Sequence, residues 1–433
     1  MPANAEADRA ADIGRHLIDY GFAFFPTLIE SARGATLKDV DGCEILDFTS
    51  GQMCAILGHN HPEIVSAIEK ACREALHLYS GMLSVPVVRL AEELAALLPP
   101  GLQKMLFLNT GAEANEAALR MAKLHSGRFE VLAFVGSWHG LTAGVSSITY
   151  AAGHSGYGPA LPGTMALPAP NCYRCPVRHC RDRCDMTCLE VGFALVDAQS
   201  VGSLAAVLAE PVLSAAGVIV PPPDYFRRLK AECEKRGMLL ILDEAQTALG
   251  RLGANFAFEI FDVEPDFLSL SKTLGGGLPM AATVTGDAIE ADCAAKGFLH
   301  VTSHVSDPLP AEVGRAVLRV LAAEDLNTRS RRMGAYLRAG LEELRARHEA
   351  IGDLRGMGLL WGVELVKDRE SREPDPEFGA AVTRRCMELG LSMNIVGVSG
   401  MAAIWRIAPP LTITEPEIDR GLEIIDRALT ELR

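Results

Sequence analysis

Residues 266–279 read Asp-Phe-Leu-Ser-Leu-Ser-Lys-Thr-Leu-Gly-Gly-Gly-Leu-Pro, so an apolar run leads into a lysine, three glycines and a proline. A lysine at the end of a buried strand is costly unless its amine is paired or used covalently. A second apolar run upstream, Met238–Leu242, ends in Asp243. The chain therefore places a cation, Lys272, and an acid at the ends of two predicted strands.

Short apolar strands alternate with helical patterns between about residues 60 and 325. Strands that are separated by helices indicate a mostly parallel sheet with both faces covered. Such sheets bind ligands at the carboxyl ends of their strands, so Lys272 and Asp243 are expected at one ligand site. The predicted strands cover residues 105–108, 131–135, 205–208, 238–242, 267–270 and 281–285.

The pattern divides the 433 residues into three parts, and it predicts an α/β protein. Residues 1–60 hold a predicted helix, Asp8–Tyr20, and a hairpin that turns at Asp41-Gly42. Residues 61–325 form the large domain with the parallel sheet. Residues 326–433 begin with the amphipathic helix Ser330–Glu349 and form, with the N-terminal segment, a smaller α+β domain.

Composition excludes several classes of partner. The chain is 49% hydrophobic and 22% charged, with a formal net charge of -14 and a pI of about 5.3. An acidic surface argues against nucleic acid or an anionic membrane as the main partner. No apolar run approaches the roughly 18 residues of a membrane span. The acidic N-terminus lacks the apolar core of a signal peptide, so we expect a cytoplasmic enzyme with mostly reduced cysteines.

A lysine that forms a Schiff base and an aspartate that binds a pyridinium nitrogen are the two groups that pyridoxal 5′-phosphate (PLP) needs from a protein. Lys272 and Asp243 are the candidates, and Gln246 could hydrogen-bond the 3′-oxygen of the ring. Taken alone, Asp243 could instead be a helix N-cap, since Asp-Glu-Ala-Gln could begin a helix.

Two further segments suit the same cofactor. Thr110, Gly111 and Ala112 lie between a predicted strand and a predicted helix, and the N–H groups at a helix N-terminus bind phosphate well. An ordinary strand-to-helix turn is the alternative. Trp138 follows another strand, where an aromatic side chain can stack on a flat ring. A tryptophan in the core is the alternative there.

Four separated segments resemble the class III aminotransferases. These are PLP-dependent enzymes of fold type I, and the likeness extends over nearly the whole chain. It implies a large domain with a mostly parallel, seven-stranded sheet, and a homodimer with shared active sites, or a tetramer built from two dimers. The matching segments are Thr110–Asn115, Ala209–Pro211, Leu242–Thr247 and the residues around Lys272.

Within that family, five segments resemble the 2,2-dialkylglycine decarboxylases. The resemblance implies decarboxylation of an α,α-disubstituted amino acid to CO2 and a ketone, and then transfer of the amino group to pyruvate or another 2-oxo acid. The alternative is an ordinary class III aminotransferase that acts on an ω- or α-amino acid without decarboxylation. The matching segments are Leu46–Met53, Ser80–Ser84, His304–Pro310, Leu391–Val396 and Arg406–Thr412.

The same resemblance assigns roles to single residues. Gln52 would hold the departing carboxylate perpendicular to the ring near Lys272, which would move protons, so both are catalytic candidates. Arg406 would hold a carboxylate in the ring plane through a bidentate contact. Without the resemblance, Gln52 would be interpreted as a surface or turn glutamine and Arg406 as part of a surface ion pair.

Other substrate and cofactor contacts follow from the resemblance. Trp138, Met53 and Ala215 would contact the substrate, and Ala215 stands where the family has a serine. Leu141, Val301 and Trp405 also replace family residues near the pocket, which implies a different amino-acid substrate. Ser303 would reach the phosphate bound by the neighbouring subunit.

The resemblance also implies an alkali-cation site for K+ or Na+ beside the active site. All of its proposed ligands offer oxygen, which suits a hard cation. They are the carbonyl of Leu78, Ser80, Ser303, Val305 and Asp307.

Five cysteines fall within a short segment: Cys172, Cys175, Cys180, Cys184 and Cys188. The first pair has zinc-knuckle spacing, and four thiolates could close a tetrahedral zinc site. Five cysteines rather than four, and the absence of a second C-x2-C pair, argue against it. A loop without metal is favoured, and a disulfide or redox switch is a further alternative.

Overall fold

The computed structural model describes residues 14–18, 20–21, 24–151, 156–175, 177, 184–398 and 402–432. The strands within these residues are β1 Ile29–Arg33, β2 Thr36–Asp39, β3 Glu44–Asp47, β4 Lys104–Leu108, β5 Glu130–Phe134, β6 Thr164–Leu167, β7 Leu204–Ala209, β8 Leu239–Asp243, β9 Phe267–Leu270, β10 Ala281–Thr285, β11 Ile351–Met357, β12 Leu360–Leu365, β13 Leu391–Ser392, β14 Asn394–Val398 and β15 Ala402–Ile407.

The longer described helices are α1 Pro62–Glu74, α2 Val85–Ala95, α3 Gly111–Ser126, α4 Thr187–Gln199, α5 Tyr225–Lys235, α6 Asp287–Ala295, α7 Pro308–Ala323, α8 Leu326–Arg347, α9 Pro376–Glu388 and α10 Glu415–Glu431. Short helical turns cover Ser50–Met53, Ala143–Ser146 and Ala257–Ile260, and a 3-10 turn covers Lys272–Gly275. None of the described helices is long and apolar enough to cross a membrane.

The central sheet has seven described strands in the order β4-β10-β9-β8-β7-β5-β6. Strand β10 runs antiparallel to β4 and β9, and the remaining neighbours pair in parallel. Every residue of β5, β7, β9 and β10 is buried. Because a sheet covered on both sides buries both faces of its strands, these segments are mostly apolar, and the predicted α/β fold is confirmed. The buried polar exceptions are Glu130, Ser269, Thr283 and Thr285.

Two smaller sheets use the ends of the chain. One has the order β1-β2-β3-β13 and the other β11-β12-β15-β14. The predicted hairpin at Asp41-Gly42 is confirmed, because Lys38 of β2 pairs with Glu44 of β3. Strand β13 pairs in parallel with β3, so the N-terminal and C-terminal segments share one sheet. Most of the predicted helix Asp8–Tyr20 lies outside the described residues.

Candidate active site

A cavity of about 360 Å3 opens where several strands of the central sheet end. Strands β4, β8 and β9 run directly into segments that line it. Ligands of parallel sheets bind at this edge, so the position agrees with the expectation from the sequence. The lining residues are 109–112, 115, 138–140, 243, 245, 271, 272 and 277–280, together with Cys54.

Asp243 lies in the cavity at the end of β8 and is buried. Its Oδ2 accepts a hydrogen bond of 2.8 Å from the Asn115 side chain and lies 2.9 Å from Nδ1 of His139. Burial raises the pKa of this carboxyl, but His139, the charge of Lys272 and Asn115 outweigh it, so the pKa is lowered. The chain makes turns rather than a helix directly after Asp243, so the N-cap interpretation is wrong.

Lys272 follows β9 and begins the 3-10 turn, with a φ of 42°. A side chain larger than glycine is strained in this left-handed region, and such strain is common at functional sites. Burial lowers the pKa of the Lys272 amine, although the charge of Asp243 acts in the opposite direction. The cation and the acid expected at one site therefore face one cavity and interact electrostatically.

The N-terminus of α3 forms one wall of the cavity. Thr110 caps the helix together with Glu113, and among the described residues no group accepts a hydrogen bond from the N–H of Gly111 or Ala112. A Cβ on Gly111 would lie 2.9 Å from Oγ of Ser271, so the close approach needs glycine. Two unpaired N–H groups at a helix N-terminus fit an anionic phosphate.

Trp138 also lines the cavity, so the interpretation as a plain core tryptophan is wrong. Its backbone N–H donates to Glu210 over 2.8 Å, and the N–H of Ser214 donates to the same carboxyl over 3.1 Å. Burial raises the pKa of Glu210 to about 7, although His139 acts in the opposite direction. Glu210 lies in Ala209–Pro211, one of the four segments that resemble the family, but the sequence alone predicted no role for it.

Arg406 reaches the same region from β15. Its Nη1 donates to Oε1 of Gln246 over 3.3 Å, and burial lowers its pKa to about 10, against the charge of Glu210. Within the described residues Arg406 makes no salt bridge, so it is not part of a surface ion pair. Arg406 and Gln246, which the sequence treated as contacts to substrate and cofactor, lie in direct contact.

The structure separates the neighbours Gln52, Met53 and Cys54. Cys54 lines the cavity, whereas the Gln52 side chain is exposed and is not part of the lining. Met53 is only 2% exposed and packs among apolar residues that include Val212 and Leu252. The substrate contact of Met53 therefore stays a prediction, since its side chain packs among these apolar residues and is not part of the cavity lining.

The substituted pocket residues also differ in position. Ala215 is buried and Trp405 is fully buried, with its indole donating to Oγ1 of Thr383 over 2.9 Å. Trp405 therefore belongs to the core rather than the pocket wall. Leu141 and Val301 are exposed.

The residues expected to hold an alkali cation differ in exposure. Asp307 accepts contacts from two histidines, with 2.7 Å to Nδ1 of His77 and 2.6 Å to Nδ1 of His304. Ser303 is exposed, and Leu78, Ser80 and Val305 are partly or fully covered. Sequence reasoning missed the two histidines, which contact both oxygens of the expected carboxylate ligand.

Four of the five clustered cysteines are described, and Cys180 lies outside the described residues. Cys172 contacts the Cys184 thiol, and burial together with the neighbouring thiols raises its pKa to about 12. In the part of the chain that the structure describes, these four cysteines are not joined by disulfide bonds, and Cys175 and Cys188 are buried. Within the described residues their sulfurs do not form a close group of three ligands, so no preformed zinc tetrahedron is present there.

The site residues fit PLP: a lysine and an ionised aspartate share a cavity with an aromatic side chain and a helix N-terminus. Such a site on this sheet defines a PLP-dependent enzyme of fold type I. Residues 20–429 match the model of the family described as aminotransferase class-III. The chain belongs to this family and uses pyridoxal 5′-phosphate.

Similar proteins agree with this assignment. An uncharacterized aminotransferase of Schizosaccharomyces pombe is 48% identical, over 96% of this chain and 93% of its own length. A leucine/methionine racemase of Thermococcus litoralis is 35% identical, over 94% and 92%. A crystal structure of a Bacillus anthracis aminotransferase superposes with a TM-score of 0.91 at 28% identity and covers both chains completely.

Proposed function

We propose that this enzyme transfers an amino group between an amino acid and a 2-oxo acid, without obligatory decarboxylation. The observation that carries the proposal is the meeting of Lys272, Asp243 and the α3 N-terminus at one cavity. The bound cofactor supplies an electron sink for charge that develops on the substrate. Relatives with aminotransferase names favour this reaction over the decarboxylation expected first from the sequence.

Lys272 would hold the cofactor and then move a proton within the cavity. Its lowered pKa increases the fraction of neutral amine, which is the nucleophilic and proton-accepting form. Asp243, kept ionised by His139 and Asn115, would bind the ring nitrogen. The free N–H groups of Gly111 and Ala112 would bind the phosphate, and Trp138 would stack on the ring.

Arg406 would bind the carboxylate of the incoming acid. A guanidinium offers two parallel N–H donors to a carboxylate, and this one is already held in a partly buried position by Gln246. Fixing the carboxylate sets which bond at the α-carbon stands perpendicular to the ring. In a transaminase, that bond is the one to hydrogen.

Decarboxylating transamination is the second candidate. Its basis is the resemblance of the sequence around Gln52, whose exposed side chain lies outside the cavity lining but only two residues from Cys54 in the cavity wall. As a neutral donor, Gln52 could orient a carboxylate without strongly stabilising it. Incubation with 2-aminoisobutyrate and pyruvate tests this candidate, because it alone releases CO2 and acetone.

The test of the main proposal is a screen of amino donors with pyruvate and 2-oxoglutarate, using PLP-saturated enzyme. We expect a new amino acid from the acceptor and none with the Lys272→Ala variant. The configuration of the remaining donor is measured in the same samples, because one relative is named a racemase. Loss of optical purity without amino transfer would replace the proposed reaction by racemisation.

We further propose that the active form is a homodimer. Ser303, which is exposed in the single chain, would contact the phosphate of the neighbouring subunit. The segment from Leu78 to Ser80, with Ser303, Val305 and Asp307, would bind K+ or Na+ near this interface. Sedimentation velocity, and activity with K+ or Na+ as the sole alkali cation, test these two statements separately.

A further inference from the structure

We infer that Asp47 and Arg251 are positioning residues that fix the 47–54 loop against the end of the strand that carries Arg406. The loop bears Gln52 and ends at Cys54 in the cavity wall. The inference rests on the proposed function, because it concerns how that site holds a substrate carboxylate.

Asp47 is the centre of the loop. Its carboxylate is 1% exposed, and Oδ1 accepts hydrogen bonds from the N–H and the hydroxyl of Thr49, at 2.7 and 2.5 Å. Oδ2 accepts from the N–H of Gly51 at 2.8 Å and lies 2.8 Å from Nε2 of His59. Burial raises the pKa of Asp47, but these hydrogen bonds outweigh it and lower the pKa. The loop is therefore built around an ionised group.

The loop needs this support because its backbone is strained. Ser50, Gly51 and Met53 have φ values of 49°, 63° and 63°. Two of these residues carry a Cβ, which disfavours the left-handed region. Such a conformation persists only where surrounding contacts hold it.

Arg251 joins the loop to the other half of the site. It is fully buried, and its Nη1 donates to the carbonyls of Leu359 and Pro409 at 3.1 and 2.5 Å. Its Nη2 donates to Oγ of Ser50 at 3.4 Å, and that hydroxyl donates to the carbonyl of Ala408 at 2.6 Å. Burial lowers the pKa of Arg251 to about 10, while the charge of Asp47 raises it.

The strand end is bonded to the loop through the backbone as well. The N–H of Ala408 donates to the carbonyl of Phe48 at 2.8 Å. Ala408 and Pro409 directly follow β15, where Arg406 lies. These bonds fix the loop relative to the backbone of β15, and the contact with Gln246 holds the guanidinium of Arg406. Together the two sets of contacts decide where a carboxylate can bind.

The test compares Asp47→Asn with Asp39→Asn in the PLP-bound enzyme. Asp39 is a matched control, since its Oδ1 holds the hairpin turn through the N–H groups of Asp41 and Cys43, at 3.0 and 2.8 Å. Isobutyrate, a carboxylate without an amino group, is titrated while the cofactor absorbance is recorded. This binding measurement needs no turnover.

We expect Asp47→Asn to weaken isobutyrate binding and to raise the KM of the amino donor by on the order of 10-fold or more, with cofactor affinity unchanged. Asp39→Asn should lower the melting temperature without changing either constant. Equal isobutyrate affinity in Asp47→Asn and wild type would overturn the inference, as would an equal loss in Asp39→Asn.

Two outcomes are kept apart by this design. If Asp47→Asn does not fold, Ser50→Ala is used instead, because it removes the hydroxyl that links Arg251 to Ala408. Weaker isobutyrate binding by Ser50→Ala supports the inference, and unchanged binding overturns it. If wild type binds isobutyrate but transfers no amino group, the proposed function fails. The comparison of variant and wild-type affinities still decides the positioning role.

Discussion

Glu210→Gln should change how the stability of the enzyme depends on pH. The Glu210 carboxyl has a pKa of about 7 in the folded chain, against an ordinary value of 4.5. The folded state therefore binds a proton more tightly than the unfolded state, and stability falls as pH rises from 4.5 to 7. By proton linkage, Glu210 lowers the free energy of unfolding by about 1.3 kcal/mol between pH 6 and pH 8. A glutamine at this position does not titrate and therefore causes no such loss.

Urea unfolding of wild type and Glu210→Gln at pH 6 and pH 8 measures this difference. Relative to wild type, the free energy of unfolding of the variant should increase by about 1.3 kcal/mol from pH 6 to pH 8. Glu130→Gln is the control, because hydrogen bonds from Ser200, Val201 and Ser203 lower the pKa of Glu130 despite burial. Its effect should not vary over this range. A difference between wild type and Glu210→Gln that is the same at both pH values would refute the reasoning.

Three further substitutions test the site. Gly111→Ala should weaken PLP binding about 10-fold, because the new Cβ would meet Oγ of Ser271 at 2.9 Å. The dissociation constant of the cofactor measures this loss, and an unchanged constant would contradict the proposed phosphate site. Asp243→Asn should lower kcat on the order of 100-fold with PLP still bound. Single-turnover kinetics measure this rate, and a rate equal to that of wild type would count against the proposed role of Asp243. Met53→Ala should lower the free energy of unfolding by about 2–5 kcal/mol while leaving KM nearly unchanged. A raised KM with little loss of stability would instead indicate that Met53 contacts the substrate.

The strands that the sequence predicted are those buried on both faces. The run 205–208 is apolar throughout, and the run 267–270 is apolar except for Ser269, because helices cover both sides of the sheet. Strand β6, Thr164–Leu167, was not identified because it is short and only partly buried at the sheet edge. Strand β11 was missed as well, since glycines at 352 and 356 weaken a strand pattern.

The site residues could be predicted where their position follows from the strand ends. Lys272 follows β9 and Asp243 is the last residue of β8, so the strand pattern alone predicted that they lie together. The direction of a side chain in an irregular loop cannot be obtained from the strand pattern. For that reason the pattern did not predict that Met53 packs in the core. Glu210 is linked to the cavity through the backbone N–H of Trp138, which is distant in sequence, and no local pattern contains that contact.

The pairing of β13 with β3 has a consequence for the order of assembly during synthesis. Apart from Cys54, the residues that line the cavity lie between positions 109 and 280, so all of them have been synthesised before the ribosome reaches the last third of the chain. Strand β3 must wait for Leu391 and Ser392, and the loop after it waits for Ala408 and Pro409. A nascent chain can thus complete most of the cavity wall first, whereas Arg406, which we propose binds the acid group, is added only when translation is almost finished.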